Sequence, residues 1–165
     1  AAAASIARWM ELRKAGDPPV APLDENLLTS EERKVLMVAD AAIARMQSGE
    51  AFIQGFLGVR THQLENAAKG ELKNGPHIGN RVGHVQGGIT MGLGIATAEA
   101  ALPANWMLSS VTAWYISPGE GRTPKARSKV VHRGRLTAVV RTEIFGKNNR
   151  RVMEMTTAHA SKSSS

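Results

Sequence analysis

The chain has 165 residues, of which 42% are apolar and 21% are charged, with a formal net charge of +7. This length predicts one domain with a buried core, and the composition argues against wholesale disorder. The absence of cysteine excludes disulfides, thiolate nucleophiles and cysteine-based zinc sites. No apolar stretch reaches the ~18–20 residues that a membrane span requires, and no secretory signal is recognisable, so we expect a cytoplasmic protein.

The charge is unevenly distributed along the chain. Residues 1–50 carry six basic and eight acidic side chains, whereas residues 51–165 carry fifteen basic and six acidic ones. The basic residues are densest between Arg122 and Arg135. Such a distribution suits a polyanionic partner, either nucleic acid, an anionic membrane surface or a phosphorylated small molecule, but it is equally typical of a solvated face.

The first fifty residues predict a helical N-terminal extension of structural role. A short helix is expected over Ser5–Lys14, and the proline-rich stretch 16–22 ends it. A second helix is expected to begin at Thr29 or Ser30, where the sequence Thr-Ser-Glu-Glu fits a capping box, and to end near Gly49.

Residues 51–160 show strand patterns on both sides of a glycine-rich segment. The last four predicted strands are expected to form an antiparallel meander, and residues 161–165 a disordered tail. His132 and His159 are expected on polar strand faces. The predicted strands are Phe52–Leu64, Ala67–Leu72, Trp106–Ser117, Ala126–His132, Arg135–Phe145 and Arg151–Ala160.

The glycine-rich segment holds six of the sixteen glycines and leads into a predicted helix over Ile89–Leu102. Inside that helix Gly92 and Gly94 each cost about 1 kcal/mol relative to alanine, which indicates that a sheet approaches the helix closely. Glycines at the helix start leave backbone N–H groups open, as an oxyanion hole or an anion site requires. The spacing matches neither phosphate-binding loop motif.

Three motifs carry a resemblance to a known family. Asn80 stands six residues before Gln86, which opens a Gln-Gly-Gly triplet, and Gly83 lies between them. The stretch 111–121 has a proline at Pro118, and residues 130–145 contain a Gly-Arg pair. Together these resemble the hotdog-fold thioesterases, in particular the phenylacetate-degradation-type acyl-CoA thioesterases, over residues 51–160.

The resemblance implies an α+β hotdog fold, with a long central helix wrapped by a five- or six-stranded antiparallel sheet. It also implies a dimer or tetramer whose interface sites hydrolyse a small or medium acyl-CoA thioester. Coenzyme A then enters as part of the substrate, and neither a cofactor nor a metal is expected. His77 and His84 lack a third ligand for a metal site.

Site residues follow from the same resemblance. The backbone amides of Gly87 and Gly88 are expected to polarise the thioester carbonyl, and Asn80 to orient the carbonyl or the attacking water. The residues expected to bind substrate are His84, Gln86, Ser110, Arg133, Gly134 and Arg135, with the arginines holding CoA phosphates.

One position departs from the family pattern. The family acid corresponds to Ile95, which cannot act as a base, and Glu99 one turn further is the candidate replacement. A neighbouring chain could supply the acid instead. The alternatives are a non-catalytic acyl-CoA-binding module, one half of a paired or tandem thioesterase, and, on charge alone, a nucleic-acid binder.

Overall fold

The computed structural model describes residues 24–50, 52–80 and 82–161. The predicted helix over Ser5–Lys14 lies outside these residues. Helix α1 spans Ser30–Met46, and its capping box is formed as predicted, because the Thr29 side chain accepts from the Glu32 N–H and the Glu32 carboxylate accepts from the Thr29 N–H at 2.8 Å. Within the described ranges no helix is long and apolar enough to span a membrane.

Helix α2, Phe52–Leu57, occupies the start of the predicted strand Phe52–Leu64, so that part of the prediction was wrong. Gly55 is buried against α1, where a Cβ atom would lie 3.2 Å from the Ala42 Cβ. Arg45 donates to the Gly55 carbonyl at 2.8 Å. Tertiary packing on α1 therefore overrides the strand propensity of this apolar stretch.

The remaining strands form one six-stranded antiparallel sheet in the order β1-β2-β4-β5-β6-β3, which confirms the predicted α+β class. Its strands are β1 Arg60–Leu64, β2 Ala67–Glu71, β3 Trp106–Tyr115, β4 Lys125–Arg133, β5 Thr137–Phe145 and β6 Arg151–Ser161.

The predicted meander of four strands was wrong in one pairing. β4, β5 and β6 do follow one another, but β3 pairs with β6 at the sheet edge rather than with β4. The connection from β3 to β4 crosses the end of the sheet, where the Ile116 and Ser117 N–H groups donate to the Val152 carbonyl and Gly119 accepts from the Val85 N–H. That connection is long enough to carry the chain past β6 and β5.

Helix α3, Gly87–Ala100, lies on the inner face of the sheet and contacts β2, β4, β5 and β6. A Cβ atom on Gly94 would overlap the Met155 sulfur, so the predicted close approach is real at this position. Gly92 differs, since no atom lies within 4 Å of its Cβ position. Only one of the two helical glycines therefore serves packing inside this chain.

His159 lies on the inner face of β6 and is 1% exposed, so the predicted polar face was wrong. Its Nε2 lies 2.8 Å from the Thr157 hydroxyl, while Nδ1 is buried without a partner among the described residues. Burial lowers the pKa of His159, because the charged ring is poorly solvated there. His132 is exposed, as expected.

Candidate active site

The N-terminus of α3 presents backbone donors that the helix itself cannot satisfy. Gln86 is the N-cap residue, and its side chain makes no capping hydrogen bond. The Gly87 and Gly88 N–H groups precede the first intrahelical donor, Thr90, which donates to the Gln86 carbonyl at 2.9 Å. In the described ranges neither glycine N–H has an acceptor. These donors carry the positive end of the helix dipole.

Glycine is needed at the first of these positions for a steric reason. A Cβ atom on Gly87 would lie 2.9 Å from Cε1 of Tyr115, and the Tyr115 hydroxyl donates to the Gly87 carbonyl at 3.2 Å. Gly88 has no atom within 4 Å of its Cβ position. One glycine therefore lets Tyr115 pack on the helix start, and the other leaves the second N–H open to a ligand.

The Asn80 side chain organises the loop that leads into α3. Its Oδ1 accepts from the Val82 N–H at 3.1 Å and from the His84 N–H at 3.0 Å. The Asn80 backbone N–H donates to the His84 carbonyl at 2.8 Å. Because two backbone donors occupy Oδ1, the side-chain NH2 is the group left to meet a ligand.

These features surround one pocket of about 440 Å3. Asn80, His84 and Gly87 line it, so the structure brings together three of the residues predicted from the sequence. Gln86 is exposed beside it. The remaining lining residues are Val85, Thr90, Tyr115, Ile116, Ser117, Pro118, Gly119 and Val152.

Two residues near this pocket were not among the predicted site residues. Tyr115 reaches the helix start only because β3 ends there, and the alternation of β3 indicated sheet packing alone. Glu120 has a carboxylate oxygen 3.9 Å from Nε2 of His84. No sequence signal identified Glu120. Its contact with His84 depends on the β3–β4 connection, in which the Gly119 carbonyl accepts from the Val85 N–H.

Glu99 lies far from the Gly87 and Gly88 amides of its own chain. It is exposed, and eleven residues of helix separate it from Gly88, or about 16 Å along the axis. Ile95, where the sequence resemblance places the family acid, is half-buried and packs against the apolar core. No carboxylate of α3 therefore reaches the pocket within one chain.

Arg133, Gly134 and Arg135 lie at the opposite end of the sheet from the α3 N-terminus. The register aligns Tyr115 with Met153, Ile144 and Ala126, at the start of β4. Arg133 ends β4, seven residues or about 23 Å away along the strand. The exposed Ser110 lies five residues before Tyr115 on β3 and does not line the pocket either.

In the part of the chain that the structure describes, no three His, Asp or Glu side chains lie close enough together to hold a metal ion. His77 lies close before Asn80 in the chain and makes an edge contact with Phe56, the ring centroids being 5.5 Å apart. Burial lowers the pKa of His77.

Comparison with known structures agrees with this architecture. The BH2602 protein of Bacillus halodurans, solved with CoA, superposes with a TM-score of 0.71 at 22% identity, covering 84% of this chain and 98% of that chain. The Escherichia coli PaaI protein from the phenylacetic acid degradation operon gives 0.62 at 19% identity, covering 76% and 96%. A hypothetical thioesterase of Streptococcus pneumoniae with coenzyme A gives 0.58 at 16% identity, covering 63% and 85%.

At the level of sequence, no curated protein matches the chain. The family profile of the acyl-CoA thioesterase N-terminal domain matches residues 77–162, from the loop before α3 to the end of β6. The predicted hotdog resemblance is thereby confirmed. The chain belongs to the acyl-CoA thioesterase N-terminal domain family and has the hotdog fold.

Proposed function

We propose that the protein hydrolyses a small or medium acyl-CoA thioester at the N-terminus of α3. The observation that carries this proposal is the pair of unsatisfied Gly87 and Gly88 amides opening beside a pocket that Asn80 organises. Membership of an acyl-CoA thioesterase family and the CoA-containing structural neighbours support the substrate class.

The glycine amides act as the oxyanion hole. When water adds to the thioester carbonyl carbon, negative charge develops on the carbonyl oxygen, and preorganised N–H donors stabilise that charge. The Asn80 NH2 adds a further donor, either to the carbonyl oxygen or to the attacking water. Because the Asn80 Oδ1 is already occupied, this residue orients a reactant but takes no proton.

Glu99 of a second copy supplies the base. Its carboxylate removes a proton from water, the hydroxyl adds to the carbonyl carbon, and the C–S bond breaks to release CoA as a thiolate that is then protonated. A Glu99 that is about 16 Å from the amides of its own chain can serve only the site of another chain.

Two surfaces suit such a second copy. The outer edge of β3 makes no strand pairing in the described sheet and carries exposed apolar side chains, namely Met107, Val111, Trp114 and Tyr115. On α3, Gly88 and Gly92 are one turn apart, both have open space at their Cβ positions, and Glu99 is exposed further along the helix. A second protomer can therefore approach the helix closely on that side. We propose a dimer, or a tetramer built as a dimer of dimers, on this basis.

The other predicted substrate contacts stay proposals. His84 lines the pocket and Gln86 borders it, so both can meet the acyl or pantetheine portion. Ser110 and the segment Arg133–Arg135 can contact substrate only if a neighbouring protomer brings them to the site.

A module that binds acyl-CoA without hydrolysing it is the second candidate function. The observation that favours it is that Ile95, where the resemblance places the family's acid, packs its half-buried side chain against the apolar core. One half of a paired or tandem thioesterase has the same implication, since the acid then comes from a different chain.

Thiol release from a panel of short, medium and aromatic acyl-CoAs tests the proposal. We expect hydrolysis well above the buffer rate, and Glu99→Gln should lower kcat at least ~10²-fold. Glu65→Gln, in the exposed β1–β2 turn, is the matched control and should keep the wild-type rate. Binding of CoA without turnover would contradict the enzymatic function and favour the non-catalytic acyl-CoA-binding module. Wild-type turnover by Glu99→Gln would remove Glu99 from the chemistry.

A further inference from the structure

The candidate active site contains a proton-exchanging side chain whose chemistry the proposed hydrolysis leaves unused. Among the described residues that line the pocket at the α3 N-terminus, only His84 and Tyr115 carry titratable side chains. The Tyr115 hydroxyl already donates to the Gly87 carbonyl. Imidazole gains and loses a proton readily near neutral pH, so His84 is the lining residue best suited to deliver one.

Hydrogen bonds fix the backbone of His84 beside the pocket. Its N–H donates to the Asn80 Oδ1 at 3.0 Å, and its carbonyl accepts from the Asn80 N–H at 2.8 Å. The next residue, Val85, is buried and donates its N–H to the Gly119 carbonyl at 3.0 Å. The ring therefore extends from a backbone that is held in place three residues before Gly87.

Glu120 lies against the ring, with its Oε1 atom 3.9 Å from the His84 Nε2. In the described ranges this carboxylate has no other ion-pair partner. The Glu120 carbonyl accepts from the Lys147 N–H at 2.8 Å, and a Cβ atom on Gly146 would lie 2.5 Å from that carbonyl oxygen, so glycine is required for this close approach. Glu120 is thus held in position and orients Nε2 toward itself. The His84 Nδ1, which has no hydrogen-bond partner among the described residues, is left available to a substrate.

The proposed reaction requires a proton at the sulfur atom. When the C–S bond breaks, its electron pair moves onto the CoA sulfur, and an alkyl thiol such as that of cysteine has a pKa of about 8.5. A proton delivered during bond breaking therefore favours departure of the thiol over return of the thiolate. Sulfur and oxygen are bonded to the same carbonyl carbon. A carbonyl oxygen held by the Gly87 and Gly88 amides thus places the sulfur in the pocket that His84 lines.

We propose that His84, oriented by Glu120, is the general acid that protonates the departing CoA sulfur. The inference rests on the proposed function, since its reactant is the thioester held at Gly87. The oxyanion re-forms the C=O bond, the C–S electron pair goes to sulfur, and sulfur takes the proton from Nδ1 of the imidazolium, so CoA leaves as a neutral thiol. The His84 side chain is 29% exposed, and the ring regains its proton from water. Glu120 is a positioning residue and transfers no proton.

Leaving groups of different acidity test this assignment. Three thioesters of one acyl group are compared: the CoA ester, the N-acetylcysteamine ester, which also releases an alkyl thiol, and the ester of 5-thio-2-nitrobenzoate, an aryl thiol that leaves readily without a proton. His84→Gln should lower kcat/KM at least ~10-fold for the two alkyl thioesters and less than about twofold for the aryl thioester. Glu120→Gln should lower kcat/KM about threefold or more with the same selectivity, because the ring remains but is less well oriented.

Two matched controls lie away from the pocket. His62→Gln, on the exposed strand β1, and Glu65→Gln, in the β1–β2 turn, should keep the wild-type kcat/KM on all three esters. An equal loss on all three esters in His84→Gln overturns the assignment, because a ring that only shapes the pocket affects every leaving group alike. Unchanged CoA-ester hydrolysis in His84→Gln overturns it as well. Both results leave the proposed function intact, whereas a wild-type protein that hydrolyses none of the esters contradicts the proposed function and the proton donor together.

Discussion

Replacing Gly94 by alanine tests how closely α3 approaches the sheet. The new methyl group would overlap the Met155 sulfur and would lie 3.0 Å from the Ile144 Cδ1, and both of those side chains are fully buried. Overpacking of this kind costs about 1–3 kcal/mol, because a filled core cannot move aside freely. Alanine also improves helix propensity by about 1 kcal/mol. Gly94→Ala should therefore lower the free energy of unfolding by up to about 2 kcal/mol.

Gly92→Ala is the matched control, since its methyl group meets nothing within 4 Å. It receives the same propensity gain, so the difference between the two variants isolates the overpacking and should be about 1–3 kcal/mol. Urea unfolding of the dissociated monomer measures both values, at protein concentrations low enough that the midpoint no longer depends on dilution, so that the proposed protomer contact at Gly92 does not enter the comparison. Equal stabilities for the two variants would refute the close approach of α3 to β6.

Three further perturbations have directional outcomes. Asn80→Asp keeps the oxygen that holds the His84 loop but replaces the NH2 donor, so kcat for acyl-CoA should fall at least tenfold while the melting temperature stays near that of the wild type. Ser128 and Thr142 share a buried hydrogen bond of 2.7 Å. Thr142→Val leaves the Ser128 hydroxyl buried without a partner and should lower the free energy of unfolding in urea by about 1–3 kcal/mol. Adding Ser128→Ala should recover most of that loss. Burial lowers the pKa of His159 below the ordinary value of 6.5, so the unfolded state binds the proton more readily than the folded state. The free energy of unfolding should therefore be constant above pH 6.5 and fall as the pH drops below it. His159→Gln should weaken this dependence in melting curves recorded at a series of pH values.

The sequence predicted elements well where local chemistry decides them. The capping box at Thr29 is a contact between neighbours in the chain, and α1 begins there. β4, β5 and β6 alternate buried and exposed positions over most of their length, and that pattern needs no knowledge of the partner strand. The strand order could not be predicted in the same way, because the pairing of β3 with β6 depends on a connection that crosses the sheet end.

The other differences between prediction and structure, at α2 and at Gly92, depend on which neighbour each residue faces in the folded chain. Phe52–Leu57 forms a helix because Gly55 packs on Ala42, and strand propensity gives no information about that contact. Gly92 and Gly94 look equivalent in the sequence, yet they face open space and the Met155 sulfur respectively.

The candidate site divides in the same way. Asn80, His84 and Gly87 are close in the chain and meet at one pocket, whereas Tyr115 and Glu120 arrive from the end of β3 and the loop after it. A dense basic stretch does not show at which end of the sheet each residue lies, and its members Arg122 and Arg133 lie at opposite ends.

A subunit-mixing experiment tests most directly whether the site is shared between two copies. Asn80→Asp and Glu99→Gln are each nearly inactive as pure proteins if the account is correct. When equal amounts are unfolded together and refolded, half of the dimers are mixed and each holds one intact site, so about a quarter of the wild-type acyl-CoA hydrolysis should return. No recovery from a mixture shown to contain mixed dimers would contradict the account, because both residues would then serve the same chain.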